Sequence, residues 1–174
     1  VLVHGDTTTC FATSLAAFYK RIPVGHIEAG LRTNNIYSPW PEELNRQITG
    51  KSAKYHFAPT LNCRQSLLDE GVSNDQIFVT GNTVIDALMI VNTMVNTDSN
   101  IEKSIKSKFT NNGIDLPKII SKKMVLITGH RRENFGDGFI QICESIKELA
   151  TLFPYVNFVY PMHLNENVRK PIHQ

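Results

Sequence analysis

Short runs of β-branched and aromatic residues alternate with segments of helical period along most of this chain, and few folds satisfy that alternation. Strands are expected at residues 1–4, 23–28, 55–58 and 76–80, and helices between them at 8–20, 42–50 and 62–70. Thr7–Thr9 offer caps for the first helix, with Phe11, Leu15 and Phe18 on one face; Pro41 opens the second, and Gly71 closes the third. Strand–helix–strand repetition calls for parallel sheets covered by helices, an α/β protein.

The alternation then breaks. Residues 83–95 have helical character, and 96–121 are rich in Asn, Ser and Lys with no convincing strand. It resumes with a strand at 124–128, a helix at 138–150 and a strand at 156–160. Phe139, Ile142, Cys143, Ile146 and Leu149 share one face of that helix. The break divides the chain into 1–83, the C-terminal part of a first Rossmann-like domain; 84–121, a connecting helix and polar linker; and 122–174, the N-terminal part of a second such domain. Opening on a strand without Met, and stopping just after another, the chain reads as an internal piece of a longer protein.

Composition narrows the function. An apolar fraction of 41% and a net charge of +2 suit a globular protein; no basic stripe suggests nucleic acid, and no apolar run reaches membrane-spanning length. Three cysteines at wide spacing, with no CxxC, point to reduced thiols in a reducing, cytoplasmic setting rather than to a disulfide framework or a zinc site.

In open parallel sheets ligands bind at the carboxyl ends of the strands. Three strands end there in ionisable residues: His4-Gly5-Asp6-Thr7, His26-Ile27-Glu28, and Gly129-His130-Arg131-Arg132-Glu133-Asn134. Asp6 can be a helix cap or a functional carboxylate. Glu28, at an apolar strand end, is harder to account for structurally. His26 reads as a packing residue. Glu42 and Glu43 suit the first turn of a helix, where acids interact favourably with the dipole. His130, Arg131 and Arg132 lie between a strand end and a helix start, a setting suited to phosphate. His163 follows the last strand and is ambiguous. Neither a Walker motif nor GxGxxG after a strand occurs. The residues alone lead to a phosphorylated ligand whose other end undergoes proton transfer.

Five segments closely resemble the non-hydrolysing UDP-N-acetylglucosamine 2-epimerases: VLVHGDTTT at 1–9, PVGHIEAGLRT at 23–33, SPWPEELNRQITG at 38–50, VTGNTVIDAL at 79–88 and GHRRENFG at 129–136, with PMHLN at 161–165 a looser match. The resemblance implies a glycosyltransferase-B-like fold of two Rossmann-like domains, both incomplete here, with the active site in the cleft between them. It implies interconversion of UDP-GlcNAc and UDP-ManNAc through a 2-acetamidoglucal, with no metal or nicotinamide cofactor, in cell-envelope polysaccharide biosynthesis. By motif match Asp6, Glu28, Glu42 and His130 are the catalytic residues. Arg131 and Arg132 join Asp6, Glu28 and His130 in holding substrate, and Glu42 and His163 neighbour an activating second UDP-GlcNAc. A homodimer is expected at full length, with no nucleic acid or membrane partner. The family's N-terminal phosphate loop and C-terminal uridine site are missing, so the 174-residue chain alone is expected to be inactive. A hydrolysing epimerase, releasing UDP and free ManNAc, is the nearest alternative. A glycosyltransferase of the same fold and an inactive nucleotide-sugar-binding fragment are more distant ones.

Overall fold

The computed structural model describes residues 1–129 and 136–172. The chain divides into two compact units, Val1–Thr93 and Met94–Gln174.

The first unit is built on four parallel strands, β1 (Leu2–His4), β2 (Gly25–Ile27), β3 (Tyr55–Ala58) and β4 (Ile77–Val79), side by side in chain order. The connections are α1 (Thr8–Tyr19), α2 (Glu42–Ser52) and α3 (Leu61–Asp69). Crossovers that step one way across a sheet place their helices on one face, and the register agrees. Val3, His26 and His56 align across three strands and are buried, as are Ala58 and Ile77. The alternate residues Leu2, Tyr55 and Phe78 point to the other face and are exposed.

Two apolar clusters lie under the helices. Val3, Cys10, Ala17 and Val24 form one; Ala29, Ala58, Cys63, Leu67 and Ile77 form the other. α1 therefore buries Cys10, Ser14 and Ala17. The expected stripe of Phe11, Leu15 and Phe18 is displaced: Leu15 and Phe18 are exposed and Phe11 is half-buried. Small side chains let α1 sit close to the sheet and beside α2, a gain that periodicity in bulky residues does not register.

Helix ends follow local chemistry. Thr7 Oγ1 accepts from Cys10 N at 3.2 Å, and Thr60 Oγ1 accepts from Cys63 N at 3.1 Å. Thr7, rather than Asp6, is thus the cap of α1. Gly71, at φ +85°, follows the end of α3 in the left-handed region that favours glycine.

α4 (Thr83–Thr97) follows, its last residues belonging to the second unit. The polar stretch after it holds two helices, α5 (Ser99–Asn111) and α6 (Leu116–Ile120). Its Asp residues are caps: Asp98 accepts from Asn100 N and Asp115 from Lys118 N, while Gly113 at φ +76° ends α5. Two parallel strands, β5 (Lys123–Leu126) and β6 (Val156–Val159), carry α7 (Asp137–Leu152) between them and α8 (Glu166–Ile172) after them. On α7 only Phe139 is fully buried; Cys143 and Ile146 are half-buried, and Ile142 and Leu149 are exposed. Asn157 Nδ2 donates to the carbonyls of Lys118 and Ile119, tying β6 to the end of α6. Among the described residues no helix is long and apolar enough to cross a membrane.

Candidate active site

The carboxyl ends of β1 and β2 deliver Asp6 and Glu28. The chain leaves β1 through Gly5 at φ +75°. Gly5 N donates to the Ile27 carbonyl at 3.0 Å. The Gly5 carbonyl accepts from His26 Nε2 at 2.8 Å and from Cys10 Sγ at 3.1 Å. Because Nε2 faces a carbonyl, that nitrogen carries the proton. His26 is 1% exposed, and burial pushes its pKa down to about 4, the Gly5 bond opposing the shift. It is a neutral structural histidine that holds the turn, in keeping with a packing role.

Asp6 itself is held twice. Its carbonyl accepts from Asn45 Nδ2 at 2.9 Å, and its Oδ2 lies 3.1 Å from Arg46 Nη2. About a third of the side chain, 31%, stays open to solvent. Oδ1 has no hydrogen bond among the described residues.

Glu28 has φ +68°, a left-handed conformation that costs a non-glycine residue on the order of 1 kcal/mol and recurs at functional sites. That turn aims the carboxylate back across the strand ends: Glu28 Oε2 lies 3.5 Å from His4 Nε2 and over Gly5, where an added Cβ would meet it at 3.5 Å. His4 at the end of β1 and Glu28 at the end of β2 thus form a half-exposed acid–imidazole pair beside Asp6. His4 did not stand out in the sequence. Its pairing depends on parallel register, with His4 opposite Ile27, one residue short of Glu28.

α2 brings the third acid. Glu42 is half-buried in its first turn, with no carboxylate partner among the described residues. Its backbone carbonyl, one helical turn before Arg46, accepts from Arg46 Nε at 3.4 Å. Glu43 is the buried acid, at 0% exposure. Its carboxylate accepts from the backbone N–H groups of Thr33 and Asn34 at 3.1 and 3.2 Å and from Gln47 Nε2 at 2.9 Å, and lies 3.5 Å from Arg46 Nε. Helix-dipole stabilisation alone would have left it at the surface. Unusually for a helix against a sheet, α2 buries polar residues: Glu43, Asn45, Arg46 and Thr49. Such burial is tolerable because each is paired.

The loop after Glu28 is fixed at both ends. Arg32 makes a two-pronged ion pair with Glu70, Nε to Oε1 at 2.5 Å and Nη2 to Oε2 at 3.0 Å. Gly30, at φ +91°, presses against α3.

His130, Arg131 and Arg132 lie outside the described residues. In the second unit the Gly129 carbonyl, just before them, accepts from the Tyr160 hydroxyl. His163 is exposed at the turn into α8, where its Nδ1 accepts from Asn165 N at 3.1 Å.

Parallel α/β units, the first with acids at the carboxyl ends of its strands, define the class: a Rossmann-like protein. The sequence profile described as UDP-N-acetylglucosamine 2-epimerase matches residues 1–174. The chain belongs to that family. It is 55% identical to the UDP-N-acetylglucosamine 2-epimerase of Salmonella typhimurium over all of this chain and 45% of that protein. Against the Escherichia coli K12 enzyme of the same name the identity is 54%, with the same coverage. The chain thus spans about half the length of the curated relatives it matches. The crystal structure of the Neisseria meningitidis UDP-GlcNAc 2-epimerase bound to UDP-GlcNAc aligns with a TM-score of 0.89 at 54% identity, over 99% of this chain and 45% of that one. The S. aureus MnaA–UDP co-structure aligns with a TM-score of 0.80 at 44% identity, over 98% and 43%. The fold is accordingly glycosyltransferase-B-like, represented here in part.

Proposed function

We propose that this chain is part of a non-hydrolysing UDP-N-acetylglucosamine 2-epimerase and that its first unit supplies the proton chemistry. The observation that carries this reading is the placement of Asp6 and Glu28 at the ends of adjacent parallel strands, with the Glu28 carboxylate turned back over Gly5. Relatives of known structure that hold UDP-GlcNAc or UDP supply the ligand class.

The chemistry explains the number of acids. Carbon 2 of the sugar is not beside a carbonyl, so its proton cannot simply be removed and returned. Elimination solves this. A carboxylate takes the carbon 2 proton, the C–H electrons form the C1=C2 double bond, and the C1–O bond breaks toward the departing UDP. For re-addition, an acid protonates carbon 2 on the other face and a UDP oxygen bonds to carbon 1. The route needs a base, an acid and stabilisation of the leaving diphosphate. Asp6, Glu28 and Glu42 are the carboxylates proposed for proton transfer. His130, Arg131 and Arg132 are proposed to take the diphosphate. Glu42 and His163 are further proposed to serve an activating second UDP-GlcNAc. Reverse turnover independent of added UDP-GlcNAc would count against that role.

The test uses a family-length enzyme carrying this segment, incubated with UDP-GlcNAc in deuterated water. Deuterium at carbon 2 of recovered UDP-ManNAc is expected, falling by about 100-fold or more in Asp6→Asn and Glu28→Gln. Sugar without deuterium removes the mechanism. Free ManNAc as the sole product points to the hydrolysing reaction.

A further inference from the structure

We propose that Arg46 is a positioning residue that orients the Asp6 carboxylate, and that the buried Glu43 carboxylate holds Arg46 in place. This rests on the proton-transfer role proposed for Asp6.

The geometry is a relay of three side chains. Glu43 is fully buried and anchored to the backbone at Thr33 and Asn34, so it cannot move without the loop. Arg46, one helical turn on, presents Nε to Glu43 Oε2 at 3.5 Å and Nη2 to Asp6 Oδ2 at 3.1 Å. Two nitrogens of one planar group therefore meet two carboxylates. A lysine has one nitrogen and cannot bridge them in this way. Arg46 is itself 9% exposed, so its charge is kept among these acids rather than in water. The far end of the relay is the accessible end: Asp6 is 31% open and has Oδ1 unbonded among the described residues, while Oδ2 is engaged. Because Asp6 follows a glycine in a turn, its side chain would otherwise be free to sample other rotamers. The engaged oxygen fixes the rotamer, and the free one is left for a proton. Misplacing a reacting group by about 1 Å costs roughly 100-fold in rate.

A purely structural role for Arg46, neutralising Glu43 inside the fold, makes a different forecast. The experiment is a double-mutant cycle in the family-length enzyme, read as deuterium incorporation at carbon 2 and as KM for UDP-GlcNAc. Arg46→Lys, which keeps the charge, is expected to lower kcat by about 10- to 100-fold with KM changed less than about 3-fold. Combined with Asp6→Asn, it should be no slower than Asp6→Asn alone, because both changes remove one function. Multiplicative losses in the double variant overturn the relay, as does an Arg46→Lys enzyme with normal kcat. Arg46→Gln, followed by thermal unfolding, removes the charge as well as the fork and separates a loss of fold from a loss of rate. A lowered melting temperature with unchanged kcat in the folded fraction assigns Arg46 to the fold only. If Asp6→Asn leaves carbon 2 exchange intact, the reading of Asp6 itself fails and the relay falls with it. If Asp6→Asn abolishes exchange and the Arg46 variants do not, only the relay falls.

Discussion

Gly30 packs against the backbone of Cys63 so closely that a Cβ built on it would stand 2.2 Å from the Cys63 carbonyl oxygen. The contact joins the loop that leaves β2, just beyond Glu28, to the first turn of α3. Backbone meets backbone, so no side chain can swing aside. Gly30→Ala adds both a clash and a left-handed φ of +91° to an L-residue. It is expected to destabilise the protein by about 3 kcal/mol or more in denaturant unfolding. A loss under 1 kcal/mol would show that the approach is looser than described.

Arg32 and Glu70 predict an asymmetry. The Arg32 side chain is 3% exposed and that of Glu70 is 27% exposed. Removing Glu70 strands a buried guanidinium, whereas removing Arg32 leaves a carboxylate that water can reach. Glu70→Ala should therefore cost more than Arg32→Met, about 3 kcal/mol against about 1–2 kcal/mol. Equal losses from the two variants, measured by thermal unfolding, would contradict this.

His26 predicts an acid-sensitive fold. Its pKa falls from 6.5 to about 4 on folding, through burial first, with the Gly5 bond opposing. Between those values the unfolded chain binds a proton that the folded chain refuses, so stability rises with pH across the window and is level above it. The full effect is about 3 kcal/mol, at about 1.4 kcal/mol per pH unit. His56, its cross-strand neighbour, is shifted downward by burial too and adds in the same sense. In His26→Gln the slope of unfolding free energy against pH, from 6.5 toward 4, should flatten. An unchanged slope would show that His26 is protonated in the folded state or that other groups govern the window.

Thr60 caps α3 through the bond from Cys63 N to its hydroxyl. Thr60→Ala removes that acceptor and should cost about 1 kcal/mol in urea unfolding, whereas Thr60→Ser should keep most of it. A serine variant as weak as the alanine one would assign the loss to the missing methyl instead.

Much of the architecture was legible because it is written locally. β3 occupies the expected residues 55–58, and α2 begins at Glu42 and α1 at Thr8 as expected, since caps, prolines and period act within a few residues. The helices in the polar stretch were missed for want of a broad apolar face: α5 turns only Ile101 and Ile105 inward, and its ends are marked by Asp98 and Gly113. The exposure of Phe18 and Leu15 was missed for another reason: α1 packs through its small residues.

The candidate site divides in the same way. Strand ends point their polar residues to one edge whatever else the chain does, so Asp6 and Glu28 could be picked out from one segment each. The roles of their supporters could not. Arg46 meets Asp6 across 40 positions, and Arg32 meets Glu70 across 38. Which of two adjacent glutamates is buried turned on where the 33–34 backbone came to rest beside α2. Hydrogen bonding and periodicity act over a few residues and leave a mark in the sequence. Ion pairing in the interior depends on which distant segments the packed sheet and helices bring within a few ångströms, and that is decided only when the chain has folded.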